Sequence, residues 1–155
     1  MPVPQCVPLA AALRVVVDSH LRKPTTAKIQ QGGCLVATAE PDPAKTAALQ
    51  AAGAEVVCLP DANGRVDLLA LLEYLAQRGV NEAHVEAGPR LSGVFLKAGL
   101  VDELLCYMAP CVLGSDARGW FDDLQLTHLE QKIKLKFQDV CMVGSNLRII
   151  ARPLD

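Results

Sequence analysis

One stretch limits the folds open to this chain more than any other. Val85-Glu86-Ala87-Gly88-Pro89-Arg90-Leu91-Ser92-Gly93 is followed by Gly99-Leu100-Val101-Asp102-Glu103-Leu104. It reads as strand, glycine turn, helix, turn, strand, the repeating unit of an α/β sheet. A helix that starts there presents backbone N–H groups without internal partners, and these attract phosphate. Gly88 has no Cβ and leaves the main chain open to close approach. Pro89 suits the first helical turn, where a missing N–H costs nothing. Glu86 would end the strand, at the edge where α/β sheets bind ligands. A tight turn with no ligand fits the same residues, because short glycine motifs recur by chance.

The rest of the chain extends this alternation. Leu13 to Val17 is a β-branched run ended by Asp18-Ser19, and Cys34 to Thr38 is a second run after Gly32-Gly33. Ala44, Ala47, Ala48 and Ala51 recur at helical spacing, with Gly53 as the stop. Glu55 to Leu59 reads as a third strand, closed by Pro60. Asp67 can cap a helix whose inner face is Leu68, Leu71, Leu72 and Leu75. Ala83 to Glu86 would be the fourth strand, with His84 packed inside it. Leu91, Val94, Phe95 and Ala98 line the next helix, and Glu103 to Met108 forms the fifth strand. Asp116 to Leu126 carries no pattern and reads as a surface loop. Ile133, Leu135 and Phe137 then alternate with lysines, and Gly144-Ser145-Asn146 turns the chain into a last apolar strand from Leu147 to Ala151. The expectation is an α/β fold, a mainly parallel sheet flanked by helices, closed by a C-terminal antiparallel hairpin.

Composition excludes several classes. Apolar residues make up 51% of the chain, enough for the core of one domain. A net charge of −2 without a basic block gives no footing for nucleic acid or an anionic membrane. No apolar run approaches the roughly 20 residues of a membrane helix, and the N-terminus does not read as a signal peptide. The six cysteines are scattered without zinc spacing. They read as reduced, mostly buried thiols of a cytoplasmic protein, with no metal site.

Five short motifs occur in order: Leu13 to Ser19, Val85 to Pro89, Gly99 to Leu104, Ala109-Pro110 and Gly114 to Gly119. Together they resemble the C-terminal reductase domain of the bifunctional riboflavin-biosynthesis deaminase–reductase, RibD type. The resemblance implies a dihydrofolate-reductase-like fold. It also implies hydride transfer from NADPH to the ribose of 5-amino-6-(5-phosphoribosylamino)uracil, giving the ribitylamino product. Residue by residue, it makes Glu86 a substrate contact. Gly88, Pro89, Arg90, Leu91, Ser92, Gly93 and Val94 become the NADPH cradle, and Ser19 a further NADPH contact. Arg22 or Lys23 would supply charge beside the cofactor's adenosine phosphate, or else be solvated turn residues. The resemblance implies a pyrimidine ribosyl phosphate substrate and a homodimer, and identifies no catalytic residue. The family's opening strand and its zinc deaminase have no counterpart here. Residues 1–155 are therefore expected to be a single, N-terminally incomplete reductase domain. Two other readings fit: a non-catalytic NADPH-binding or dimerisation remnant, and a similar reductase with another substrate.

Overall fold

A computed structural model describes residues 12–30, 33–114, 116–122 and 124–154. Cys6 lies outside them. The chain divides into two compact units, Met1–Asn81 and Glu82–Asp155.

In the first unit three strands, β1 (Val15–Val17), β2 (Cys34–Thr38) and β3 (Ala54–Cys58), form a parallel sheet in the order β1-β2-β3. The central strand is buried along its whole length, with Leu35, Val36 and Ala37 fully enclosed. A parallel strand covered on both faces requires this continuous apolar run. Helix α1 (Pro43–Ala51) connects β2 to β3. Asp42 caps it, accepting the Lys45 N–H at 3.0 Å, and Gly53 takes φ +88° just beyond its end, a conformation that suits glycine. Leu49 from α1 packs with Leu21, Cys34, Val36 and Ala54 as the core. Helix α2 (Leu68–Gln77) starts as the sequence indicates, with Asp67 accepting the Ala70 N–H at 3.0 Å. It buries Leu68, Leu71 and Leu75.

The second unit holds α3 (Pro89–Lys97) and an antiparallel sheet in the order β4-β6-β5. Its strands are β4 (Leu104–Met108), β5 (Leu135–Val143) and β6 (Asn146–Pro153). The hairpin is present, with its bulge between Phe137 and Asp139. One face of this sheet is wholly apolar. Register places Leu104, Ala151 and Phe137 in one row, Cys106, Ile149 and Val140 in the next, and Met108, Leu147 and Met142 in the third. Ala151 is buried at the centre, while Phe137, Val140 and Met142 are 65%, 50% and 64% exposed.

The α/β class holds, and four expectations are corrected. First, Ala83 to Glu86 forms no strand: residues 82–88 are exposed and pair with no strand among the described residues. Alternation supplies a face, but a strand exists only through its ladder. Second, His84 is consequently exposed rather than packed. Third, among the described cysteines only Cys34 is buried; Cys58 and Cys111 are exposed, while Cys106 and Cys141 are partly covered. Apolar neighbours in sequence did not mean burial, because Cys58 ends the outer strand of its sheet and Cys111 follows β4 into a loop. Fourth, the inner face of α3 is Gly93, Phe95 and Leu96, with Ala98 exposed.

Candidate functional site

The expected site residues fall in both units: Ser19 in the first, Glu86 and Gly88 to Val94 in the second. Gly88 is the N-cap of α3, with φ −72° and ψ 167°, and no side chain caps the helix. Pro89 has no N–H to satisfy. The first intrahelical bond runs from the Ser92 N–H to the Gly88 carbonyl at 3.2 Å. The N–H groups of Gly88, Arg90 and Leu91 meet no acceptor among the described residues. No acidic side chain occupies the first turn, and Lys97 sits in the last. The lack of an acid in the first turn leaves the positive end of the helix dipole uncompensated at Gly88. A Cβ placed on Gly88 would meet nothing within 4 Å, so this glycine is not required by internal packing. Open space, free donors and an uncapped helix start suit a dinucleotide phosphate.

Along α3 the expected cradle is mixed. Arg90 is exposed; Leu91, Ser92 and Val94 are half-buried; Gly93 is buried. Gly93 faces protein: a Cβ there would overlap the carbonyl oxygen of Asp122. The Asp122 N–H also donates to the Pro89 carbonyl at 3.0 Å. The loop read as patternless is thus anchored along α3. Lys97 adds a bond to Gln125 at 3.3 Å. A glycine on the helix face was the one signal of this contact; in the sequence it fits close packing or ligand approach, and the structure places the Asp122 backbone against it.

Glu86 projects from the unpaired stretch with its side chain 84% exposed, and its partner is His84 Nε2 at 3.5 Å. The carboxylate is open to a ligand and close to a titratable imidazole.

Ser19 follows the carboxyl end of β1 and ties three segments together. Its Oγ accepts the Val66 N–H at 3.1 Å. Its carbonyl accepts the N–H groups of Ala39 and Glu40, each at 3.1 Å, and the Thr38 hydroxyl at 3.1 Å. This joining role was not read from the sequence, since its partners lie far along the chain. The Ser19 hydroxyl proton remains available, because its oxygen serves Val66 as acceptor.

Two surface hollows, of about 350 and 610 Å³, lie towards the other end of α3 and share Lys97 and Ile133. They include none of the expected site residues. Among the described residues no group of three or more His, Cys, Asp or Glu side chains gathers to hold a metal. Among the described residues no helix is long and apolar enough to cross a membrane.

Relatives agree with the resemblance. Riboflavin biosynthesis protein RibD of Escherichia coli (strain K12) is 35% identical over 141 residues, covering 90% of this chain and 37% of the relative. The 5-amino-6-(5-phosphoribosylamino)uracil reductase of Buchnera aphidicola subsp. Acyrthosiphon pisum is 34% identical over 93 residues, covering 60% of this chain and 45% of the relative. The solved structure of Acinetobacter baumannii RibD superposes with a TM-score of 0.77 at 29% identity, over 91% of this chain and 37% of that one. The chain thus spans little more than a third of the RibD proteins and under half of the Buchnera reductase. The RibD C-terminal domain family matches residues 4–149, and the chain belongs to that family.

Proposed function

We propose that this chain carries the NADPH-dependent reductase function of riboflavin biosynthesis, with 5-amino-6-(5-phosphoribosylamino)uracil as substrate. The observation that carries the reading is the uncapped start of α3, where the N–H groups of Gly88, Arg90 and Leu91 meet no acceptor among the described residues and the space beside Gly88 is open. NADPH, when bound, supplies the hydride, and the protein supplies position and electrostatics. The α3 N-terminus would hold a cofactor phosphate with backbone donors. Glu86, exposed and accepting, would bond a ribose hydroxyl or the pyrimidine edge. Ser19 would offer its hydroxyl proton to the cofactor while its backbone keeps the β1 and β2 loops joined.

Titration of the purified chain with NADPH, followed by cofactor fluorescence with NADH as control, tests the cofactor half. Saturable, NADPH-selective binding is the expected result, and no binding by a folded chain rejects it. Consumption of NADPH on adding the pyrimidine substrate tests the rest. Glu86→Gln should depress substrate affinity or turnover far more than NADPH affinity, and equal losses of both would remove Glu86 from the substrate site.

The same reading includes a homodimer in a cytoplasmic setting. The exposed apolar row of Phe137, Val140 and Met142 supports the dimer. The five cysteines among the described residues are all free, which supports a reducing compartment.

A further inference from the structure

Glu86 lies in a stretch that gives its side chain no frame. Residues 82–87 are exposed and make no backbone hydrogen bond among the described residues. A glutamate on such a chain can turn its carboxylate through many rotamers. One neighbour limits it: His84 Nε2 stands 3.5 Å from Glu86 Oε1. The two residues flank Val85, and their contact puts both side chains on one side of the main chain, as alternation in extended backbone requires. Among the described residues Glu86 is the only acid within ion-pair distance of His84. The other charges nearby in sequence, Glu82 and Arg90, are exposed and form no ion pair among the described residues.

The pair is not a stability device. Its side chains are 65% and 84% exposed, where an ion pair adds little to folding. It also joins two residues of the same unpaired stretch, so it cross-links nothing. What it can do is orient. A ring nitrogen that faces a carboxylate donates, in the imidazolium and in the neutral ring protonated at Nε2 alike. At 3.5 Å the contact is ion-pair distance rather than a tight hydrogen bond, so it steers the carboxylate without closing it. A carboxylate has two oxygens, each with lone pairs. Glu86 can therefore face His84 with Oε1 and still accept a hydroxyl or N–H from a ligand. The steered group lies two residues before Gly88, the N-cap of α3.

We infer that His84 is a positioning residue for the reduction: it holds the Glu86 carboxylate in the orientation that receives the substrate, and it acts only through that carboxylate. The inference rests on the reading of Glu86 as a substrate contact.

The test titrates the whole 155-residue chain with 5-amino-6-(5-phosphoribosylamino)uracil by calorimetry, without NADPH so that nothing turns over. His84→Leu removes the donor, and His84→Gln keeps an N–H close to the place of Nε2. His84→Leu should weaken substrate binding by about threefold to fivefold, and His84→Gln should recover most of the loss. Neither should change NADPH affinity or the melting midpoint. In a Glu86→Ala background His84→Leu should cost nothing further, because its effect passes through the carboxylate. A His84→Leu variant that binds substrate as wild type does, a loss that His84→Gln does not recover, or a loss that adds in full to that of Glu86→Ala overturns the positioning role. In each of these cases weaker binding by Glu86→Ala alone leaves the reductase reading standing. Substrate binding unchanged in Glu86→Ala would remove Glu86 from the site and His84 with it. A wild-type chain that takes no substrate would end both the role and the substrate half of the reading.

Discussion

Gly93 and Asp122 share one space: the Asp122 carbonyl lies where a side chain on Gly93 would begin. The Asp122 carbonyl carbon would stand only 3.1 Å from such a Cβ, and its nitrogen 3.3 Å. Both contacts are with backbone, which cannot rotate away as a side chain could. Gly93→Ala should therefore displace the loop from α3 and destabilise the second unit by about 1–3 kcal/mol. Urea or thermal denaturation measures this, and an unchanged midpoint would show that the loop is not held there.

Gly88 should behave in the opposite way. Its φ is open to any residue and its surroundings are empty. Gly88→Ser introduces a favoured N-cap and should alter stability by no more than about 0.5 kcal/mol. Its side chain would occupy the open helix start and compete for the same N–H groups. NADPH affinity should fall by about tenfold or more. A variant that keeps full affinity would move the cofactor away from α3.

Ser19→Ala removes the acceptor of the Val66 N–H, and Val66 is 5% exposed. The orphaned donor should cost about 1–3 kcal/mol. This loss should be measured by denaturation without ligand, so that it is separated from any effect on NADPH.

Asp139 and Arg148 give the hairpin a pH dependence. Arg148 donates to Asp139 Oδ2 at 2.6 Å, and this bond holds the Asp139 carboxyl below its ordinary value. A depressed acid contributes stability that is complete above its unfolded value, about 3.9, and is lost as pH falls through the lower folded value. Asp139→Asn should flatten the acid limb of the stability profile in that window and lower stability at neutral pH, where the wild-type contribution is complete. An acid limb of unchanged slope would remove this pair from the account.

The apolar face of the second sheet should set the oligomeric state. Replacing Phe137 and Met142 together by lysine places two charges in exposed positions of that face. Sedimentation should show wild type as a dimer and the double variant as a monomer with unchanged secondary structure. A monomeric wild type would mean the face stays open.

Much of this architecture was legible because its signals are local. Asp42 was not singled out, yet α1 was found from its alanine spacing, and α2 from Asp67 and its leucines. β2 announced its burial by an unbroken apolar run. The stretch from Ala83 to Glu86 misled for a non-local reason: its alternation matched a strand, but no strand among the described residues takes up its backbone groups. The site divides in the same way. Gly88 could be read from its place before Pro89 and the helix. The ties from Ser19 to Val66 and from Gly93 to Asp122 span 47 and 29 residues, respectively. A contact of that kind leaves no periodic trace.

The unpaired stretch before α3 has a thermodynamic consequence. No backbone hydrogen bond among the described residues holds positions 82–87, yet this stretch carries Glu86. A ligand that fastens Glu86 must also immobilise the main chain around it, at about 1–2 kcal/mol per residue ordered. Association should therefore carry an unfavourable entropy offset by heat released at the new contacts, and affinity should weaken on warming.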